Sequence, residues 1–170
     1  MPKSPNVKSL SADEVARRTE IARKALHTAK WARTMTRWLI THSSKGGVKW
    51  RIVEFGGKTG HESKGIVDMI AIRKDHRAIE EGHVGDLLEI VLIQVKGGSS
   101  PFPTGPDIAR LNVVKERHRA SQIVLAEWKK GGAPKCFLLP NMDTPVPASS
   151  IFGPLAKGAK APVLDRDADT

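Results

Sequence analysis

The stretch LLEIVLIQVKGG, residues 87–98, has the apolar density of a strand buried on both faces, yet Gln94 and Lys96 interrupt it just before a double glycine. A run this rich in branched aliphatics fits a central strand. Side chains alternate faces along a strand, so Gln94 and Lys96 project to one side together with Ile90 and Leu92. The segment IVDMIAIR at 66–73 reads as the preceding strand, with Asp68 on the same face as Ile66, Ile70 and Ile72. A hairpin-like pairing of the two strands, across the polar loop at 74–86, sets the early residue Asp68 against the late residues Gln94 and Lys96. An acid, an amide and an amine then converge at one end of a sheet. Burying such a trio costs free energy unless its members pair or serve a ligand. The plainer structural alternative is an Asp68–Lys96 ion pair at a sheet edge.

Around this pair of strands the chain has a simple order. SADE at 11–14 reads as a capping box, with Ser11 as N-cap and Glu14 three residues on, and neither Pro nor Gly follows until Gly46. A long helix, or two in tandem, is therefore expected over 12–42. It carries one stripe of Ala22, Ala25, Ala29 and Ala32, and another of Glu20, Lys24, His27, Trp31, Met35 and Trp38. VKWRIVEF at 48–55 reads as a strand. Pro106 and Asp107 open a second helix with Ile108, Leu111, Val114 and His118 on its inner side, and SQIVLAEWK and KCFLLP complete a hairpin. The tail from Asn141 is rich in Pro, Ala, Gly and Asp without a sustained period, and is expected to be extended or disordered. The division is thus a basic helical segment at 1–45 packed on an α/β core at 46–140, then a tail at 141–170.

The net charge is +10, and residues 1–51 account for most of it, with 12 Lys/Arg against 3 Asp/Glu. A field this uneven suits a polyanion, either nucleic acid or an anionic membrane surface, although a basic face can also serve solubility alone. No apolar run approaches the ~20 residues that span a bilayer, and the first ten residues have no hydrophobic segment for export. A soluble, cytoplasmic protein with no membrane partner is expected. The lone Cys136 excludes an internal disulfide and reads as a small core residue. FGGKTG at 55–60 contains Gly-Lys-Thr, but a phosphate-binding loop needs Gly where Ile52 stands and a helix after Thr59. The histidines are scattered without zinc-ligand spacing. Trp31, Trp38 and Trp50 could stack on bases, though tryptophans in regular elements more often serve packing.

The Val67-Asp68 pair, followed by a strand ending Gln94-Val95-Lys96, resembles the PD-(D/E)xK, or restriction-endonuclease-like, nuclease superfamily, most closely its junction resolvases and small stand-alone members. The order helix, three strands, helix, two strands is similar to that superfamily's α/β core, with a mixed central sheet and a long N-terminal helix, over about residues 12–140. The resemblance implies a metal-dependent deoxyribonuclease that hydrolyses phosphodiesters as an endonuclease. Asp68, Gln94 and the Val95 backbone carbonyl would hold Mg²⁺, with Mn²⁺ as a substitute, and Lys96 would orient the attacking water or stabilise charge at the phosphate. Glu20 matches by location the glutamate that the family's first helix often adds, although Glu20 and Lys24 also fit an exposed helical ion pair. Glu62 is a second source of negative charge. Val67 stands where the motif has proline and Gln94 where it usually has a carboxylate, which makes a catalytically inactive nucleic-acid-binding module the alternative reading. DNA is the expected partner, through Arg17, Arg18, Arg33, Arg37, Lys58, Lys64, Arg110, Lys115 and Arg119; a homodimer remains an open assembly.

Overall fold

The computed structural model describes residues 11–55, 66–76, 82, 87–98 and 100–163. Helix α1 (Ala12–Thr41) starts where the capping residues put it, with the Ser11 hydroxyl accepting the Glu14 N–H at 3.3 Å. The chain then forms β1 (Ser44–Lys45), β2 (Val48–Lys49), β3 (Arg51–Glu54), β4 (Met69–Asp75), β5 (Leu87–Gly97), α2 (Gly105–Arg117), β6 (Gln122–Trp128), β7 (Lys135–Leu138) and α3 (Ala148–Phe152). The expected strand at 48–55 is divided. Gly46 and Gly47, both at positive φ, turn the chain so that β2 pairs back on β1, and only β3 joins the main sheet.

That sheet is five-stranded in the order β3-β4-β5-β6-β7 and mixed, so the architecture is α/β with a long N-terminal helix. The pairings are antiparallel except β5 with β6, which is parallel. A parallel neighbour requires a crossover, and α2 supplies it. β5 is therefore central, and Val91, Leu92 and Ile93 are fully buried. Its odd-numbered residues join Leu39 and Ile40 of α1 and Phe152 of α3 in one core. Its even-numbered residues, Ile90 and Leu92, join Leu111 and Val114 of α2 in the other.

The double glycine has a packing reason. A Cβ at Gly97 would lie 2.9 Å from the Thr28 carbonyl oxygen and 3.0 Å from the Ala32 Cβ, so α1 crosses the end of β5 at backbone contact. Residues 12–26 of α1 reach past this crossing and are exposed or half-exposed throughout. Trp31, Met35 and Trp38 gather with Trp128 in a small core, and the Trp50 N–H donates to the Phe152 carbonyl at 2.8 Å. The three tryptophans are thus packing residues in this fold. His118, expected on the inner side of its helix, is instead its exposed C-cap. Burial pushes the Cys136 thiol up to about 11, in keeping with a core residue. Among the described residues, no helix is long and apolar enough to cross a membrane.

The expectation of an extended or disordered tail is corrected over residues 141–163. Val146 bridges Cys136, Leu155 bridges Ser43, and Ile151 and Phe152 are 1% exposed within the core. Composition obscures this because one short helix delivers only two apolar side chains, and the flanking Pro and Ser residues follow the surface of the fold. Phe152→Ala should lower the unfolding free energy by about 3–5 kcal/mol, as for other fully buried aromatics. Urea denaturation measures it, and an unchanged midpoint would detach this segment from the core.

Candidate functional site

The sheet opens between β4 and β5 at one end. The last residue pair of their ladder is Met69–Ile93, and one further backbone bond runs from the Asp68 N–H to the Ile93 carbonyl at 2.9 Å. β5 continues to Gly97 without β4 beside it. Asp68 takes over where the strand stops: its Oδ2 accepts the Val95 N–H at 2.7 Å, while its carbonyl still accepts the Phe55 N–H at 2.9 Å. The N–H and carbonyl of one strand residue project to the same side. The Val95 carbonyl is therefore directed toward this gap as well.

The register does not continue past Met69–Ile93. The Asp68 N–H bonds Ile93, the residue that Met69 already faces, while its carbonyl turns to Phe55, so Asp68 forms a bulge at the end of the ladder and does not stand opposite Gln94. The antiparallel pairing inferred from the two apolar stretches is present and Asp68, Gln94 and Lys96 lie at the same end of it, but the expected placement of Asp68 across from Gln94 is not found. Gln94 is 7% exposed, and its Oε1 has no hydrogen-bond partner. Lys96 is half-buried on the α2 side of the sheet and close enough to Asp107 to act on its charge. Asp107 closes the N-terminus of α2 by accepting from the Thr104 N–H at 3.0 Å and the Thr104 hydroxyl at 2.7 Å. These two bonds hold its carboxyl below the ordinary range, helped by the charges of Arg110 and Lys96.

The partner of Asp68 is not Lys96. Its Oδ1 lies 3.2 Å from an Arg33 guanidinium nitrogen, an ion pair formed by α1 from the opposite layer. One turn on, Arg37 pairs with Glu54 at 3.2 Å. Both arginines stand among the expected phosphate-binding residues, but their pairing with carboxylates has no sequence signal, because it depends on where α1 crosses the sheet.

Glu20 does not join the site. It is exposed near the start of α1, about 20 Å along the helix axis from Arg33 at about 1.5 Å per residue. Hydrogen bonding to Arg23 foremost, with Lys24 in addition, holds its carboxyl down at about 2. This is the exposed helical ion pair that its spacing allows. Arg17 and Arg18 pair with Glu14 on the projecting half of α1. Arg110 is in the first half of α2, Lys115 in its last turn, and Arg119 past its end on the side of the sheet opposite α1. Glu62, Lys58 and Lys64 lie outside the described residues.

The oxygens at this end of the two strands are those of the Asp68 carboxylate, engaged by the Val95 N–H and Arg33, the buried and unpartnered Gln94 Oε1, and the Val95 carbonyl. An all-oxygen set suits a hard divalent cation, and the buried amide oxygen without a partner is the feature that fits one. With a single negative charge the set would bind weakly. Among the described residues, no three His, Cys, Asp or Glu cluster as a metal site. Comparisons with protein-family models, with curated proteins and with solved structures find no match to this chain.

A buried amide oxygen without a partner should destabilise the fold. Gln94→Leu, of similar size and without the polar group, should raise the unfolding free energy by about 1–3 kcal/mol. A chemical-denaturation midpoint that falls instead would mean that the Gln94 amide is satisfied in solution.

Proposed function

We propose that the protein is a metal-dependent nuclease of restriction-endonuclease-like architecture that cleaves DNA at the opening between β4 and β5. The reading is supported by the presence, at the same end of the β4–β5 pair, of a carboxylate, a buried amide oxygen with no partner, and a lysine. Asp68, Gln94 Oε1 and the Val95 carbonyl would hold Mg²⁺, or Mn²⁺ in its place. When bound, the cation would supply Lewis acidity toward a phosphate oxygen and a lowered pKa for water. Lys96 contributes a positive charge at the rim of the apolar α2 face, where low dielectric strengthens its action on charge developing at phosphorus. Asp68 is fixed by its bond to the Val95 N–H, so its carboxylate needs no reordering to serve as a ligand. The free half of α1 leaves from the same end of the sheet and presents Arg17 and Arg18 to the backbone of a bound duplex.

Incubation with linear, branched and single-stranded DNA in the presence of Mn²⁺ tests the reading directly. Asp68→Ala and Lys96→Ala should each abolish cleavage while leaving most DNA affinity intact, since chemistry and phosphate contacts come from different elements. Cleavage by Asp68→Ala at the parent rate would remove the assignment. The neutral Gln94 favours a second reading, a nucleic-acid-binding protein that has lost its cation site. In that case the parent neither cuts nor binds Mn²⁺ at tens of millimolar, and Gln94→Glu gains both.

The contribution of the arm is measured by salt. Replacing Arg17 and Arg18 together by Gln should flatten the slope of log K against log salt by about one to two units, with little dependence on sequence. An unchanged slope would move the phosphate contacts away from α1.

A further inference from the structure

We propose that Arg33 is a built-in competitor for the cation at Asp68, and that nucleic-acid phosphate releases it, so that metal loading is coupled to substrate binding. The inference rests on the nuclease reading and deepens it. Both carboxylate oxygens of Asp68 are engaged, Oδ2 by the Val95 N–H at 2.7 Å and Oδ1 by Arg33 at 3.2 Å. The two partners differ in freedom. The Val95 N–H is part of the central strand and cannot leave. Arg33 sits on a side chain that is 35% exposed, and it has a long, flexible stem.

A divalent cation at Asp68 and a guanidinium in contact with the same carboxylate repel each other at close range, in a site where half-burial limits screening. One of them must give way. In the free protein the single carboxylate favours Arg33, because the other cation ligands, Gln94 Oε1 and the Val95 carbonyl, carry no charge to favour the metal. A phosphodiester alters that balance, since its oxygens offer the planar guanidinium fork a bidentate partner of equal charge. The duplex need not penetrate the core to reach it. Arg33 lies on α1 between the half that projects beyond the sheet and the turn where Arg37 binds Glu54. Once Arg33 turns to phosphate, Asp68 is open to the cation. Linkage then requires that the cation raise duplex affinity by the same factor that the duplex raises cation affinity.

Mn²⁺ binding to the free protein, followed by electron paramagnetic resonance, should be about tenfold tighter for Arg33→Gln than for the parent. Arg37→Gln removes the same charge one turn away and should change the affinity by no more than about twofold, as expected of a screened charge. Arg33→Lys, a point charge without the guanidinium fork, should fall between the parent and Arg33→Gln. In a second arm, anisotropy of a labelled phosphorothioate duplex reports how much Mn²⁺ strengthens duplex binding. The gain should be about tenfold for the parent and clearly smaller for Arg33→Gln. Equal Mn²⁺ affinities for Arg33→Gln and Arg37→Gln, or for Arg33→Gln and the parent, would overturn the competitor role and leave the nuclease reading standing. Failure of both parent and Arg33→Gln to bind Mn²⁺ would overturn the nuclease reading itself, and the coupling with it.

Discussion

The hydrogen bond from the Val95 N–H to the Asp68 carboxylate governs the geometry of the whole candidate site. A central strand cannot leave its amides unsatisfied, since each orphaned group costs free energy comparable to a lost hydrogen bond. Where β4 stops, a side chain has to take over from its backbone, and Asp68 does so at 2.7 Å. This substitution lets the sheet open while β5 runs on to Gly97, and the opening exposes a carbonyl and a carboxylate side by side. Val67 stands just before it, outside any strand, so the divergence of the chain needs no proline.

The second constraint is the approach of α1. Contact between its backbone and Gly97 fixes the height at which the helix crosses the sheet, and so which of its side chains meets Asp68. A residue with a Cβ at position 97 would lift the helix and move Arg33 away from the carboxylate. The same crossing leaves the first half of α1 without a partner in the described fold, directed past the site. Packing at a glycine and charge at a carboxylate are in this way mechanically linked.

Much of this was legible in the residues. Alternation in 66–73 and 87–96 was enough to give the strand faces and the antiparallel pairing of β4 with β5, but not the bulge that takes Asp68 out of register with Gln94. Helix α1 was legible from its cap and its lack of breakers. What escaped was whatever depended on distance between layers. The Glu20 stripe was real as a helical spacing, but the crossing point at Gly97 leaves that turn about 20 Å from the site. The Asp68–Arg33 pair needs that same crossing point. The Asn141–Val163 segment failed for a different reason, since Ile151 and Phe152 are too few to give a periodic signal although both are fully buried.

The other end of the same two strands sharpens the contrast. There Arg73 stands directly opposite Glu89 within the regular ladder, and both residues are 5% exposed. That pair is fully supplied: Glu89 also accepts from Lys45 at 2.8 Å, and Arg73 donates to the Lys45 and Lys74 carbonyls and lies 5.4 Å from the Trp50 ring centre. A buried charge that is paired on every side contributes to specifying the fold and leaves nothing to offer a ligand. It joins the β1–β2 hairpin to the sheet. At the Asp68 end, the same strands keep a buried amide oxygen with no partner and a carboxylate held by an arginine that can turn to solvent. The Asp68 end is both more exposed and less satisfied than the Arg73–Glu89 end, and its unmet hydrogen-bonding capacity is what a ligand would use.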